Sequence, residues 1–117
     1  MIEGTITPEG VPQIDIEIAG RRWNAVIDTG FNGYVELPVA LKEPLNADNI
    51  GPIRSTLAAG QTIVDDAYVA QFPFDGEEVT VVATFVEGED ILIGTEMLKQ
   101  HILHIDFPEK RLSLQRK

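Results

Sequence analysis

Isoleucines at 14, 16 and 18 alternate with Asp15 and Glu17. A period of two puts one row of side chains in a core and the other in water, which is the mark of a half-buried strand. Ala19-Gly20-Arg21-Arg22 then reads as a turn, and residues 23–27 as a second strand. Its closing run, Ala25-Val26-Ile27, is apolar throughout, as expected of a strand covered on both faces. Gly30, Asn32 and Gly33 break the pattern, and residues 34–37 resume it as a short strand. Pro38 can open a helical turn over 39–42, because the first helical position needs no amide hydrogen. Residues 43–52 read as loop.

Further on, 54–57 and 62–71 read as strands joined by Ala58-Ala59-Gly60-Gln61, a hairpin with small residues at its tip. Asp75-Gly76 signals a second tight hairpin, linking 68–74 to 78–86. Ile91-Leu92-Ile93 is a short apolar strand ended by Gly94. Thr95 is the expected N-cap of a helix of about two turns reaching Gln100, anchored by Met97 and Leu98. Residues 102–107 and 112–114 form a last hairpin around Pro108-Glu109-Lys110. Many short strands, frequent turns and one short helix predict an all-β fold: a small closed or folded-over barrel, in a single domain over 1–117. No internal repeat, linker or low-complexity tract interrupts it.

Composition narrows the function. The chain has 117 residues, a hydrophobic fraction of 44% and a formal charge of -10. That charge argues against nucleic acid, whose phosphates call for clustered Lys and Arg. Arg21-Arg22 and Lys110-Arg111 are pairs at turns and read as solvated surface. Acidity also favours neutral or basic peptides over acidic ones, weakly once salt screens it. No apolar run approaches the ~20 residues that span a bilayer, so no membrane is expected. No signal peptide is visible, and with no cysteine in the chain the expected compartment is the cytoplasm.

The candidate chemistry lies at the end of the second strand. Val26-Ile27-Asp28-Thr29-Gly30, followed later by Ile91-Leu92-Ile93-Gly94 and a helix, resembles a retropepsin-like aspartic protease. The resemblance runs along nearly the whole chain in order: Asp-Thr-Gly loop, flap-like hairpin, apolar strand ending in glycine, helix. Phe31 directly after Asp-Thr-Gly resembles a bacterial Asp-Thr-Gly-Phe branch of the clan.

The resemblance implies a homodimeric acid-protease barrel whose active site is completed by a partner. One chain supplies one Asp-Thr-Gly, and the reaction needs two carboxylates, one accepting a proton while the other donates. Asp28 would therefore meet Asp28 of a second copy. Thr29 would lock the paired loops, and Gly30 would let the backbone approach carboxylate and substrate. Phe31, Asn32 and Gly33 would contact the peptide or protein substrate, as would Ala58, Ala59, Gly60 and Gln61 at the flap position. Gly60 alone supplies the permissive backbone that retroviral flaps draw from several glycines. Retroviral relatives pair an acidic residue near the Asn32 position with an arginine after the second glycine. Asn32 and Thr95 stand there instead, so both charges are absent together.

No cofactor or metal is expected. His101 and His104 straddle the predicted helix-to-strand junction without a third ligand and read as surface or structural. The acidic turns at Asp65-Asp66 and around Glu89-Asp90 lack the spacing of a calcium loop. Three functions stand open at this stage. The first is a homodimeric aspartic endopeptidase. The second is a non-catalytic dimeric module of the same fold that binds peptides or a protein. The third is an unrelated monomeric barrel.

Overall fold

The computed structural model describes residues 1–56 and 59–117. Among these described residues, ten strands make a single sheet. They are β1 Ile2–Ile6, β2 Pro12–Ile18, β3 Arg21–Ile27, β4 Val35–Pro38 and β5 Asp48–Thr56, then β6 Thr62–Phe74, β7 Glu77–Val86, β8 Ile91–Ile93, β9 His101–Asp106 and β10 Arg111–Arg116. Their order across the sheet is β5-β6-β7-β4-β8-β3-β2-β1-β10-β9. Pairings are antiparallel except β3 with β8 and β4 with β7.

Alternation along β2 is as expected, with Ile14, Ile16 and Ile18 buried and Asp15 and Glu17 exposed. In β3 the buried row is Trp23, Ala25 and Ile27, while Val26 is only half-buried. One face of β3 is therefore sealed in the core and the other only partly covered, where the apolar run predicted cover on both. The sheet curls until β2 packs against β6. The enclosed core includes Leu37, Phe72, Ile91, Ile93 and Leu114.

Two turns follow the rules for tight hairpins. Asp75 (φ 51°) and Gly76 (φ 81°) both adopt left-handed backbone, the type I′ geometry that matches strand twist. Ala19 (φ 55°) and Gly20 (φ 78°) do the same. The turn is thus two residues long, and Arg21 and Arg22 already belong to β3, opposite Ile18 and Glu17.

Other expectations change. The sheet does not close: β5 and β9 are its free edges. The first residues of β6, Thr62 to Asp66, are exposed, and alternating burial starts only at Ala67. That part of the sheet leaves the core as a projecting hairpin instead of closing a barrel. β5 begins at Asp48, inside the segment read as loop, and carries a bulge between Asn49 and Gly51. The side chain of Asn49 accepts from the Gly51 amide at 2.8 Å and donates to Asp66 at 3.1 Å, fixing that bulge. β1 lacked a clear signal because its central residue is glycine. A Cβ on Gly4 would strike the Gln13 carbonyl oxygen of the neighbouring loop-side end of β2.

The expected two-turn helix is a single 3-10 turn, Thr95–Leu98. Gly94, not Thr95, holds the N-cap position, and no side chain caps it. Met97 is buried and Leu98 half-buried, as anchors should be. The turn over Val39–Leu41 forms behind Pro38 as predicted. Among the described residues, no helix is long and apolar enough to cross a membrane.

His101 and His104 both lie on β9. His104 is exposed, whereas the His101 side chain is buried and its Nε2 bonds Asp75 at 3.1 Å. Burial opposes the charge on Asp75, but the His101 hydrogen bond and the amino terminus of Met1 hold its carboxyl below the usual carboxylate range. This network ties β9 to the β6–β7 turn. Among the described residues, no group of three or more His, Asp or Glu side chains is arranged to hold a metal.

Candidate active site

β3 ends at Ile27 because the next residue turns away under two constraints. The Asp28 amide donates to the Ile93 carbonyl at 2.9 Å, continuing the parallel pairing of β3 with β8. The Asp28 side chain then accepts from the Gly30 amide at 2.9 Å, and its carbonyl from the Phe31 amide at 3.1 Å. An aspartate that binds the backbone two residues ahead closes a tight turn by itself. The carboxylate is thus aimed by its own loop, with its second oxygen left for other partners. A Cβ on Gly30 would lie 3.2 Å from that carboxylate, so glycine gives it room.

The loop is bolted to the turn after β8. Gly94 donates to the Tyr34 carbonyl at 2.9 Å, Thr95 to Phe31 at 2.8 Å and Glu96 to Gly33 at 3.1 Å. The Thr95 and Glu96 amides open the following turn and have no carbonyl within it to bond, so these loop carbonyls satisfy them without a side-chain cap. Gly94 must be glycine here: a Cβ would strike the Gly33 carbonyl oxygen and stand 2.7 Å from the Phe31 ring. Phe31 itself is half-buried, its ring laid against Gly33 and Gly94. The large residue after Asp-Thr-Gly is accommodated by packing on two glycines.

Asp28 opens onto a groove of about 660 Å³. Gly30 lines it together with Phe31, Asn32 and Gly33, the three residues of this loop expected to contact a substrate. Thr29 is exposed. The hairpin of β5 and β6 forms the roof through Ile53, Ser55, Ile63 and Asp65. Cross-strand partners share a face, and Ile53 opposes Asp65 while Ser55 opposes Ile63. Ala59, Gly60 and Gln61 sit exposed at the hairpin tip and do not line the groove; Ala58 lies outside the described residues.

The floor was not anticipated. It is a row across three adjacent strands: Leu92 on β8, Glu36 on β4 and Thr84 on β7. Glu36 is half-buried. Its carboxyl is raised above the usual carboxylate range by burial first, then by the charges of Asp65 and Asp28. The available signal was the alternation in Val35-Glu36-Leu37, which sends both apolar neighbours into the core and Glu36 to the opposite face.

No family model matches the sequence, and no curated protein does. Solved structures do match in fold. One is the foamy viral protease-reverse transcriptase in complex with RNA/DNA hybrid, with a TM-score of 0.63 and 18% identity over 80% of this chain. This chain spans only 13% of that one. Another is a retropepsin-like aspartic protease from Rickettsia conorii, with a TM-score of 0.62 and 18% identity, covering 97% of this chain and 88% of that one. The fold is therefore retropepsin-like.

Proposed function

We propose that this chain, having a retropepsin-like fold, is a homodimeric aspartic endopeptidase. The observation that carries the reading is the placement of Asp28. It is locked by the Gly30 amide and lines a groove of about 660 Å³ that is roofed by a hairpin. In the dimer Asp28 faces its own copy. Two carboxylates ~3 Å apart cannot both ionise, so they share one proton, and their titration belongs to the pair.

The ionised member takes a proton from a water held between the two. The hydroxide oxygen adds to the scissile carbonyl carbon while the protonated member donates to the carbonyl oxygen. Collapse of the tetrahedral species breaks the C–N bond, and the leaving nitrogen takes a proton from the dyad. Thr29, exposed on this loop, reaches the backbone of the opposing loop. Phe31, Asn32, Gly33 and the tip residues Ala58, Ala59, Gly60 and Gln61 contact the peptide as the hairpin closes and excludes water. The expected compartment is the cytoplasm.

The test is Asp28→Asn. Peptide cleavage should fall by at least about 10³-fold with the fold and the dimer retained. Full activity in that variant would eliminate the mechanism. Binding of peptides with no cleavage by the unaltered protein, across acid to neutral pH, would establish the non-catalytic module in its place.

A further inference from the structure

The groove has a chemical bias that its shape alone does not require. Its aliphatic walls are Ile53, Ile63, Val82 and Leu92, and two carboxylates besides Asp28 line it, Glu36 in the floor and Asp65 in the roof. No Lys, Arg or His is among the described residues that line it. No described cation pairs with Glu36 or Asp65. The nearest candidate by sequence, Arg54, is paired with Val64 and so belongs to the outer face of the hairpin. Glu36 is held half-buried beside two other acids with no counterion among the described residues. An arrangement that costs folding free energy without internal compensation marks a place where an incoming charge is missing.

Lysine and arginine have the matching form: an apolar stem that lies along aliphatic walls, and a cationic end. We infer, building on the reading of this groove as a peptide cleft, that it selects substrates with a lysine or arginine side chain beside the scissile bond. Glu36 is the specificity-determining residue, and Asp65 closes over the cation from the roof. Because β4 holds Glu36 in the sheet while β6 carries Asp65 on the projecting hairpin, the cation draws the hairpin down as it enters. A neutral side chain of equal length fills the apolar walls but leaves Glu36 uncompensated.

The experiment uses paired peptides that differ only in Lys against norleucine, placed in turn at each position flanking a cleavable bond. The ratio of kcat/KM for the lysine peptide over the norleucine peptide should exceed about tenfold at one position, in keeping with a charge-assisted hydrogen bond in a partly desolvated site. That ratio should collapse in Glu36→Gln and shrink in Asp65→Asn. In Glu36→Lys, glutamate peptides should become preferred over lysine ones. Cleavage with equal rates for the two peptides would overturn the specificity while leaving the protease reading intact.

If the protein cleaves nothing, the same peptides are titrated against it by calorimetry. Tighter binding of the lysine peptide that disappears in Glu36→Gln upholds the specificity while the protease reading fails. Equal binding, or none, overturns it. Loss of folding in Glu36→Gln, read by circular dichroism, shifts the decision to Asp65→Asn, an exposed position where an unchanged ratio counts against the inference.

Discussion

At the scale of single residues, Glu36 is the position where folding and binding pull in opposite directions. Its carboxyl is raised by burial and by Asp65 and Asp28. The folded chain therefore keeps a proton there at pH values where the unfolded chain has released it. Stability from this group is full below the ordinary glutamate range and is lost as pH rises through the raised folded value. Glu36→Gln should accordingly be more stable than the unaltered protein at pH 7, by a few degrees at most in thermal midpoint because solvent screens a half-exposed group. The gap should close below about pH 4, where both side chains are neutral. Thermal unfolding of both proteins from pH 3 to 8 measures this directly, and a gap that is constant with pH would contradict it. Asp28 was legible in the sequence because a tripeptide at the end of an apolar strand is a compact signal. Glu36 was not, because one polar residue between Val35 and Leu37 looks like any solvent-facing position until the opposing roof is known.

Among the elements, alternation made β2 readable, a short apolar run ended by glycine made β8 readable, and Asp75-Gly76 announced its turn. What escaped reading had competing local chemistry. Gly51 and Pro52 disguise β5, since both are poor strand residues away from a bulge or an edge, and β5 is a bulged edge. The helix after Gly94 was over-read because Thr95 looks like a cap. Its amide, however, is committed to the Phe31 carbonyl across the molecule. Ala19 shows the converse, a residue that the turn tolerates but does not favour. Its φ of 55° is left-handed, a conformation that costs an alanine about 1 kcal/mol and that asparagine enters more readily. Ala19→Asn should stabilise the protein by about 0.5–1 kcal/mol in urea unfolding, with no change in the denaturant slope. An unchanged midpoint would indicate that the unfolded chain gains as much as the turn does.

On the proposed reading, each molecule presents half of a reaction centre. One Asp-Thr-Gly, one groove and one projecting hairpin per chain make sense of the proposed activity only in pairs. Homodimers with two-fold symmetry bring identical residues together at the axis. Mixing the unaltered protein with an equal amount of Asp28→Asn, after subunits exchange, should leave about half of the original activity, since about half of the active chains then sit beside an inactive one. Activity that stays constant would place the whole site in one chain. The pairing is proposed from sequence because the motif occurs once. Sequence could not indicate that the sheet stays open, since closure depends on where β6 leaves the core and not on its composition.

β6 itself carries two lifetimes. Up to Asp66 its side chains are exposed and it is held chiefly by a single neighbour, β5; from Ala67 it alternates into the core with β7 alongside. Two strands without a packed face are marginal in water, whereas the inner half can open only with the domain. A backbone amide one residue to either side of that border therefore reports on a different event. The outer ones follow the breathing of a single arm, and the inner ones the survival of the fold. The border at Asp66–Ala67 needs no glycine, because it is defined by where the core stops.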